Sequence, residues 1–177
     1  SLPAAAGKEA LCPPGRFEAG VLETKVVLVA GEESPVVVRV GETVFLGRAR
    51  LSPSGRVEAR LDQAVAGERV ETVNAYLAER GTRAKGLAPR VQDLAPTLAQ
   101  DLLRGAFNGV TAYVEGLRSA RRLVFTPGGV AVEQAPPDLL NSVLGEAARV
   151  LNLPQGASSV VRVYELERGA EVEVGCL

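Results

Sequence analysis

The stretch TVFLGRARLSPSGRVEARL, residues 43–61, consists of two segments of alternating side chains joined by a turn. In the second segment the apolar residues Val57, Ala59 and Leu61 alternate with charged residues. Alternation of this kind is typical of a strand with one buried face. The intervening SPSG, residues 52–55, has the composition of a tight turn. The stretch therefore predicts two neighbouring strands with one face in a core.

Alternating segments continue on both sides of this stretch, over residues 17–77. Turn-forming residues at 31–34, 41–42 and 66–68 separate these segments. The segment before the first turn is expected to be one strand, and its expected inner face comprises Leu22, Thr24, Val26 and Leu28. Five short strands at intervals of roughly 10–13 residues predict a sandwich or a barrel.

Helical periodicity replaces the alternation in the second half of the chain. After a loop over residues 79–96, Pro96 is expected to begin a helix that runs to about Leu117, since the first helical position tolerates proline. Apolar residues recur along this helix at helical spacing, and they are Leu98, Leu102, Leu103, Ala106, Phe107, Val110, Tyr113, Val114 and Leu117.

The remaining segments complete a mainly β protein with two helices, an α+β fold. Residues 121–134 predict a hairpin that turns at 127–129, and residues 136–153 predict a second amphipathic helix. Two final strands are expected around the turn at 167–169. The plan is a small β-barrel that carries a helix–hairpin–helix excursion over residues 96–153.

Domain boundaries follow from the same pattern. Residues 1–16 are small and rich in proline, which predicts a linker, and residues 17–177 are expected to form a single barrel domain. The chain begins at Ser1 and not at a methionine, so we expect a fragment of a longer protein. Its basic residues are nearly all arginine, a bias typical of a thermophile or of a high-GC genome.

The first predicted helix contains three glycines, Gly105, Gly109 and Gly116. Each glycine inside a helix costs roughly 1 kcal/mol relative to alanine. Gly105 and Gly109 form a GxxxG pair, and Ala112 with Gly116 forms a second pair of small residues at the same spacing. Two interpretations stay open: a surface helix that tolerates these glycines, or a helix that packs closely against a helix of another subunit.

The composition excludes several classes of function. The chain has no His, so it has neither a Ser-His-Asp nor a Cys-His catalytic apparatus, nor a His-ligated zinc. A net charge of −1, with three Tyr and four Phe as the only aromatic residues, gives neither a basic field nor a stacking platform for nucleic acid. The sequence contains no motif for a reaction centre, a metal ion or a cofactor, and we expect a protein that is not an enzyme.

Two cysteines, Cys12 and Cys176, lie near opposite ends of the chain. In a cytosolic protein both would be idle thiols. In an exported protein they would bridge the two termini, and we expect this disulfide on the condition that the compartment is oxidising.

Four segments resemble, in their order and spacing, the carboxy-terminal domain of the TrbI/TraB-type conjugation proteins. GRFEAGVLETKVVLV, residues 15–29, looks like the Gly-containing opening strand of that family, and residues 43–65 look like its next strands. KGLAPRVQDLAPTLAQDLLRGAFNGV, residues 85–110, is similar to the loop that leads into a Gly-bearing helix. Residues 153–174 resemble the final strands. The resemblance covers about residues 15–174.

The resemblance implies a fold and a location. Members of the family belong to type IV secretion machines, and their carboxy-terminal domain is a flattened β-barrel that assembles into a ring in the outer-membrane core complex. A two-helix antenna projects from the barrel, and residues 96–153 would be that antenna. The implied location is the periplasm, in association with the outer membrane, with the full-length protein anchored in the inner membrane.

The implied function is that of a structural, ring-forming subunit of a secretion or conjugation-like channel that transports DNA or protein. Its expected partners are further copies of itself, an outer-membrane lipoprotein and an inner-membrane complex of the same apparatus, with contact to the outer membrane and no direct binding of nucleic acid. Exposed edge strands of the barrel are expected to bind neighbours by strand addition. The residues predicted to pack the helix against a neighbour are Leu98, Leu102, Gly105, Gly109 and Tyr113.

Two alternatives remain beside this hypothesis. A component of a pilus or of a DNA-uptake machine fits the same resemblance. A monomeric β-barrel that binds a peptide or a glycan, with its helices closing one end, fits the strand pattern alone.

Overall fold

A computed structural model of the protein describes residues 9–121, 123–126, 129–132 and 160–177. The described elements are β1 (Phe17–Leu22), β2 (Val26–Leu28), β3 (Glu33–Val40), β4 (Thr43–Leu51), β5 (Val57–Ala66), β6 (Arg69–Glu79), β7 (Arg90–Leu94), the helix α1 (Pro96–Arg121), β8 (Leu123–Thr126), β9 (Gly129–Val132), β10 (Val161–Leu166) and β11 (Glu171–Cys176). The predicted mainly β class is confirmed, with one helix in the described part of the chain.

Six strands form a closed antiparallel barrel in the order β1-β11-β6-β5-β4-β3, and pairing of β1 with β3 closes it. The barrel prediction is therefore confirmed. A closed barrel has no edge strand. The expectation that neighbours bind by strand addition at an edge of the barrel is therefore wrong. Three further strands form a separate small sheet in the order β2-β10-β7.

The hairpin of β4 and β5 follows the alternation of the sequence. Val57 and Leu61 are fully buried and Ala59 is 4% exposed, whereas Arg60 between them is exposed. The turn between the strands uses Gly55, whose φ of 85° is favourable only for glycine. The period-two pattern therefore identified the inner face of the barrel correctly.

The apolar side chains of the described residues form three clusters. The largest fills the barrel and includes Phe45 and Leu77. The second lies between α1 and the outer surface of β3, β4 and β5, and the third lies between α1 and the small sheet. The helix therefore joins the small sheet to the outside of the barrel.

Two details of the strand prediction were wrong. The expected first strand is two strands, because the chain leaves the barrel after Leu22 and pairs again in the small sheet from Val26. The expected loop over 79–96 contains β7, which pairs with β10. The pattern concealed β7 because its side chains are mostly exposed, and Val91 is 48% exposed.

Helix α1 begins at Pro96, as predicted, and has 26 residues, which gives a length of about 39 Å. The hairpin predicted after the helix is confirmed as β8 and β9. The second helix predicted over 136–153 lies outside the described residues, and the helix–hairpin–helix arrangement is not part of the described fold.

Candidate functional site

Helix α1 uses one face to bind its own sheets. Ala99 and Ala106 pack against the small sheet, and Val110 and Val114 pack against β3, β4 and β5 of the barrel. All four side chains are buried. The excursion predicted from residue 96 thus starts with a helix that lies against its own chain as far as Leu117, which is half-buried beside the barrel.

The three glycines lie away from this packed face. Apart from the adjoining backbone of α1 itself, a Cβ atom built on Gly105, Gly109 or Gly116 would have no neighbouring atom within 4 Å in the part of the chain that the structure describes. Close approach of a described strand or loop therefore does not explain why the helix has glycine at these positions.

Leu98 and the three glycines occupy one flank of α1. An α-helix has 3.6 residues per turn, so these four positions fall within an arc of about 40° on the helix surface. The centre of this arc lies roughly 100° around the helix axis from the row of buried residues that packs against the sheets. Leu98 is 55% exposed, so the packed row of the helix begins at Ala99 and not at Leu98. We call this surface of Leu98, Gly105, Gly109 and Gly116 the glycine flank.

The five predicted packing residues thus divide into two groups. Leu102 and Tyr113 are half-buried against the small sheet and the barrel, respectively. The other three belong to the glycine flank: Leu98 is mostly exposed, and no described strand or loop packs on Gly105 or Gly109. Their role at an interface between subunits stays a prediction.

Tyr113 lies at the border between the glycine flank and the barrel. Burial raises the pKa of its phenol, and the negative charge of Glu23 raises this pKa further, against smaller opposing effects of Arg39 and Arg168. Glu23 is itself held by Arg39, whose Nε lies 2.6 Å from the Glu23 carboxylate. Tyr113 is therefore a neutral, partly apolar side chain at physiological pH.

The disulfide between Cys12 and Cys176 is present, with the two Cα atoms 5.5 Å apart. The predicted bond between the two cysteines is thus confirmed. Further bonds hold the same segment: Gly15 N donates to Cys176 O at 2.8 Å, and Leu11 N donates to the Glu71 carboxylate at 3.0 Å. Residues 9–16 are therefore bound to β11 and β6.

A buried carboxylate lies in the small sheet. The side chain of Glu165 on β10 has no exposed surface, and Lys25 Nζ lies 2.9 Å from its Oε1. Gln92 Nε2 donates to Oε2, and Arg90 lies 3.7 Å from the same oxygen. Burial raises the pKa of Glu165, but the adjacent Lys25, the hydrogen bond from Gln92 and the charge of Arg90 together hold it below the usual value. These ion pairs and the hydrogen bond connect the three strands β2, β10 and β7.

The outer surface of β4 and β5 is divided between the helix and a charged groove. Val44, Leu46 and Val65 lie under α1, whereas further along the same strands the outward residues are charged. The groove has a volume of about 450 Å³, within the range of ligand pockets. Its lining consists of Glu33, Arg48, Arg50, Glu58, Ala59, Arg60, Asp62, Lys85 and Leu177.

Two arginines face each other across this groove. Arg48 on β4 is directly opposite Arg60 on β5, and like charges in this position destabilise a sheet. Asp62 Oδ2 lies 3.6 Å from Arg48. The sequence signal for this groove is that RAR at 48–50 and EARLD at 58–62 lie on the two strands of one predicted hairpin.

Among residues 9–121, 123–126, 129–132 and 160–177, no group of three or more His, Cys, Asp or Glu residues is arranged to hold a metal ion. No helix there has both the length and the apolar composition needed to cross a bilayer. In comparisons with known proteins, the chain matches no protein-family model and no curated protein.

Proposed function

We propose that the chain is a structural, ring-forming subunit of a periplasmic and outer-membrane transport channel of the type IV secretion or conjugation-like kind. Its work is self-association and docking to other subunits of the apparatus, and it performs no chemistry. The order of motifs that resembles the TrbI/TraB-type proteins supports this proposal. A closed barrel with a long helix on its outer surface fits the same role.

The glycine flank is the observation that carries the proposal. Three glycines cost a helix roughly 3 kcal/mol relative to alanine, and no described atom beyond the adjoining backbone of α1 comes within 4 Å of their Cβ positions. The barrel therefore gains nothing from them. A helix of a neighbouring copy would gain close backbone contact on a surface without side chains. Leu98 at the start of the flank, 55% exposed, supplies an apolar contact for that neighbour.

The disulfide supports the proposed compartment. Disulfides form and persist in the periplasm and outside cells, and they are rare in the cytosol of mesophiles. Cys12 and Cys176 are bonded to each other, and the described part of the chain has no free cysteine. A subunit that folds in the periplasm is in a compartment where this disulfide forms and persists.

In the same proposal, α1 continues into an arm. The hairpin of β8 and β9 follows the helix directly, and a second helix over 136–153 returns the chain to β10. The arm leaves the barrel after Leu117, and the glycine flank lies beside its base. Copies in a ring would meet through these bases.

Replacement of Gly109 by leucine in the full-length protein tests the proposal. Gly109→Leu fills the flank with a side chain that a closely packed neighbour cannot accept, so we expect the detergent-extracted assembly to become smaller on native gels and transport to fall. Asn108→Leu is the matched control, because it adds the same side chain about 100° away on the exposed face of the helix.

The domain must remain folded for this comparison. Exchange of glycine for leucine improves helix propensity, so the thermal midpoint of the 177-residue chain should not fall for Gly109→Leu. Full-size assemblies and normal transport with Gly109→Leu would contradict the role of the glycine flank.

A monomeric binding module is the second candidate, and the charged groove between β4 and β5 favours it. The molar mass of the full-length protein in detergent distinguishes the ring-forming subunit from the monomeric binding module. The ring hypothesis requires a mass that is a multiple of the subunit mass, and a binding module gives that of a single chain at all concentrations.

A further inference from the structure

The arginines of the charged groove are spaced like the side chains of an extended peptide. Arg48 and Arg50 lie on the same face of β4, two residues apart, which places them about 7 Å from each other. Arg60 lies across from Arg48 on the adjacent strand. Alternate side chains of any extended peptide repeat at the same distance of about 7 Å. A peptide that runs along β4 can therefore present one carboxylate to the Arg48–Arg60 pair and the next to Arg50.

Arg50 and Arg60 are available to such a ligand. Both are exposed, and in the described chain neither has a carboxylate oxygen within 4.0 Å. A guanidinium group binds a carboxylate through two parallel hydrogen bonds when the geometry is planar. An incoming carboxylate would also relieve the repulsion between Arg60 and the facing Arg48.

A β-bulge shapes this part of the groove. Leu61 pairs with Gly47 and Gln63 pairs with Leu46, so that Asp62 between them has no partner on β4. A bulge reorients side chains and increases the local twist of a strand. Here it turns Asp62 toward Arg48, at 3.6 Å, and so holds one of the two facing arginines in position.

The acidic residues of the groove restrict the class of ligand. Glu33 and Glu58 are the cross-strand neighbours of Arg50 on its two sides. A dense polyanion such as nucleic acid would meet these carboxylates at close range and be repelled. A peptide with carboxylates only at every second position brings fewer negative charges into the groove, and only its carboxylate at Arg50 lies level with Glu33 and Glu58.

We propose that the groove between β4 and β5 is a binding site for an extended acidic peptide with carboxylates at alternate positions. Arg60 is the main contact of the peptide, and Arg48 and Arg50 are the flanking contacts. This site is separate from the glycine flank and does not depend on the ring proposal.

Fluorescence anisotropy with the 177-residue chain tests the site. The probe is a fluorescein-labelled peptide of four Glu-Thr repeats, and a peptide of four Gln-Thr repeats is the neutral control. We expect the Glu-Thr peptide to bind, with a Kd that increases with ionic strength because exposed charges are screened by salt. The Gln-Thr peptide should not bind.

Substitutions on the protein locate the site. Arg60→Gln should weaken binding about three- to fivefold, since one exposed charge pair is lost. Arg168→Gln, which changes an exposed arginine of the β10–β11 turn, should change Kd less than about twofold. Glu58→Gln should strengthen binding, because it removes a repelling carboxylate from the groove.

Several results would overturn the proposal. They are equal affinity of the parent chain and Arg60→Gln, equal binding of the two peptides, and no binding of the Glu-Thr peptide at 50 mM salt. Tighter binding of a single-stranded oligonucleotide or of inorganic phosphate than of the Glu-Thr peptide would also overturn it, since the groove would then prefer dense or small anions.

Discussion

Gly47 and Gly109 both lie inside regular elements, but their surroundings differ. A Cβ atom on Gly47 of β4 would lie 2.7 Å from Leu61 Cα and 2.8 Å from the carbonyl carbon of Arg60. These are backbone atoms, which cannot rotate away. A Cβ atom on Gly109 of α1 would meet no described atom within 4 Å apart from the adjoining backbone of the helix. Gly47 is thus required by the packing of β4 against β5, whereas no contact within the described part of the chain requires Gly109.

Alanine at these two positions should therefore have effects of opposite sign. Gly47→Ala forces β4 and β5 apart at the bulge, and we expect a loss of about 3 kcal/mol in the free energy of unfolding. Gly109→Ala gains helix propensity without a clash and should stabilise the isolated chain by up to about 1 kcal/mol. Urea unfolding of the three chains measures both changes. A loss of stability in Gly109→Ala would show that something already packs on the glycine flank within one chain.

Glu165 gives the stability a defined dependence on pH. Its pKa in the folded protein is lowered by Lys25, Gln92 and Arg90 against the effect of burial. A carboxyl group with a lowered folded pKa contributes stability above its unfolded pKa, about 4.3, and this contribution is lost as the pH falls through the folded pKa. The network of Glu165 therefore stabilises the small sheet at neutral pH and not in strong acid.

Comparison with Glu165→Gln isolates this contribution. At pH 7 the variant should be less stable by about 1–3 kcal/mol, because the charge-assisted bonds are lost. Below pH 4.3 the difference between the two chains should shrink, since a protonated glutamic acid is neutral like glutamine. Unfolding by urea from pH 7 to pH 2.5 measures this difference. A difference that stays constant over the whole range would mean that the folded pKa of Glu165 is not lowered.

At the scale of whole elements, the disulfide attaches the entering segment to the last strand. It closes a loop with a sequence separation of 164 residues. On the chain-entropy model such a loop stabilises a protein by about 5 kcal/mol, because it restricts the unfolded chain. We expect the double variant Cys12→Ser, Cys176→Ser to be less stable by a few kcal/mol, and the parent chain to match it when reduced. Unchanged urea midpoints of the parent with and without reductant would contradict this.

Most strands followed from their side-chain alternation, but not all. In the second half of β4 and the first half of β5, one face lies in the barrel core and the other is partly exposed, so apolar and charged residues alternate visibly. β3 and the first half of β4 are buried on both faces, because α1 covers their outer side, and they read as apolar runs. β2 is buried on both faces and has no alternation, and β7 is mostly exposed and lacks a clear apolar face. The boundaries of these two strands depend on β10, which comes about 70 residues after β7. Local pattern contains no information about such a distant partner.

The packing of α1 was predicted only in part, for a related reason. The helical spacing identified a broad apolar stripe, and Ala106, Val110 and Val114 on it are buried. Leu98 belongs to the same stripe by spacing, yet it is exposed. The charged groove was missed because it needs both the pairing register of β4 with β5 and the bulge at Asp62. Neither can be read from one strand alone.

At the scale of the whole molecule, closure of the barrel determines where a neighbour can bind. All six barrel strands are paired on both sides. Because the barrel core is filled by side chains such as Phe45 and Leu77, it is not a passage through the subunit. A channel built from this domain would therefore run between copies, and contacts among copies must use the outer surface. The glycine flank is the part of that surface where backbone is most accessible.

Photochemical cross-linking can test this arrangement in the full-length protein. With p-benzoylphenylalanine in place of Leu98, irradiation should link neighbouring copies and give a dimer band on a denaturing gel, because an apolar contact brings the probe within reach of the next copy. The same probe in place of Asn108 points into solvent and should give little or no dimer. Equal cross-linking at both positions, or none at Leu98 in cells that assemble the apparatus, would show that the copies meet elsewhere. The ring would then need a different interface, since the closed barrel offers no strand edge as a substitute.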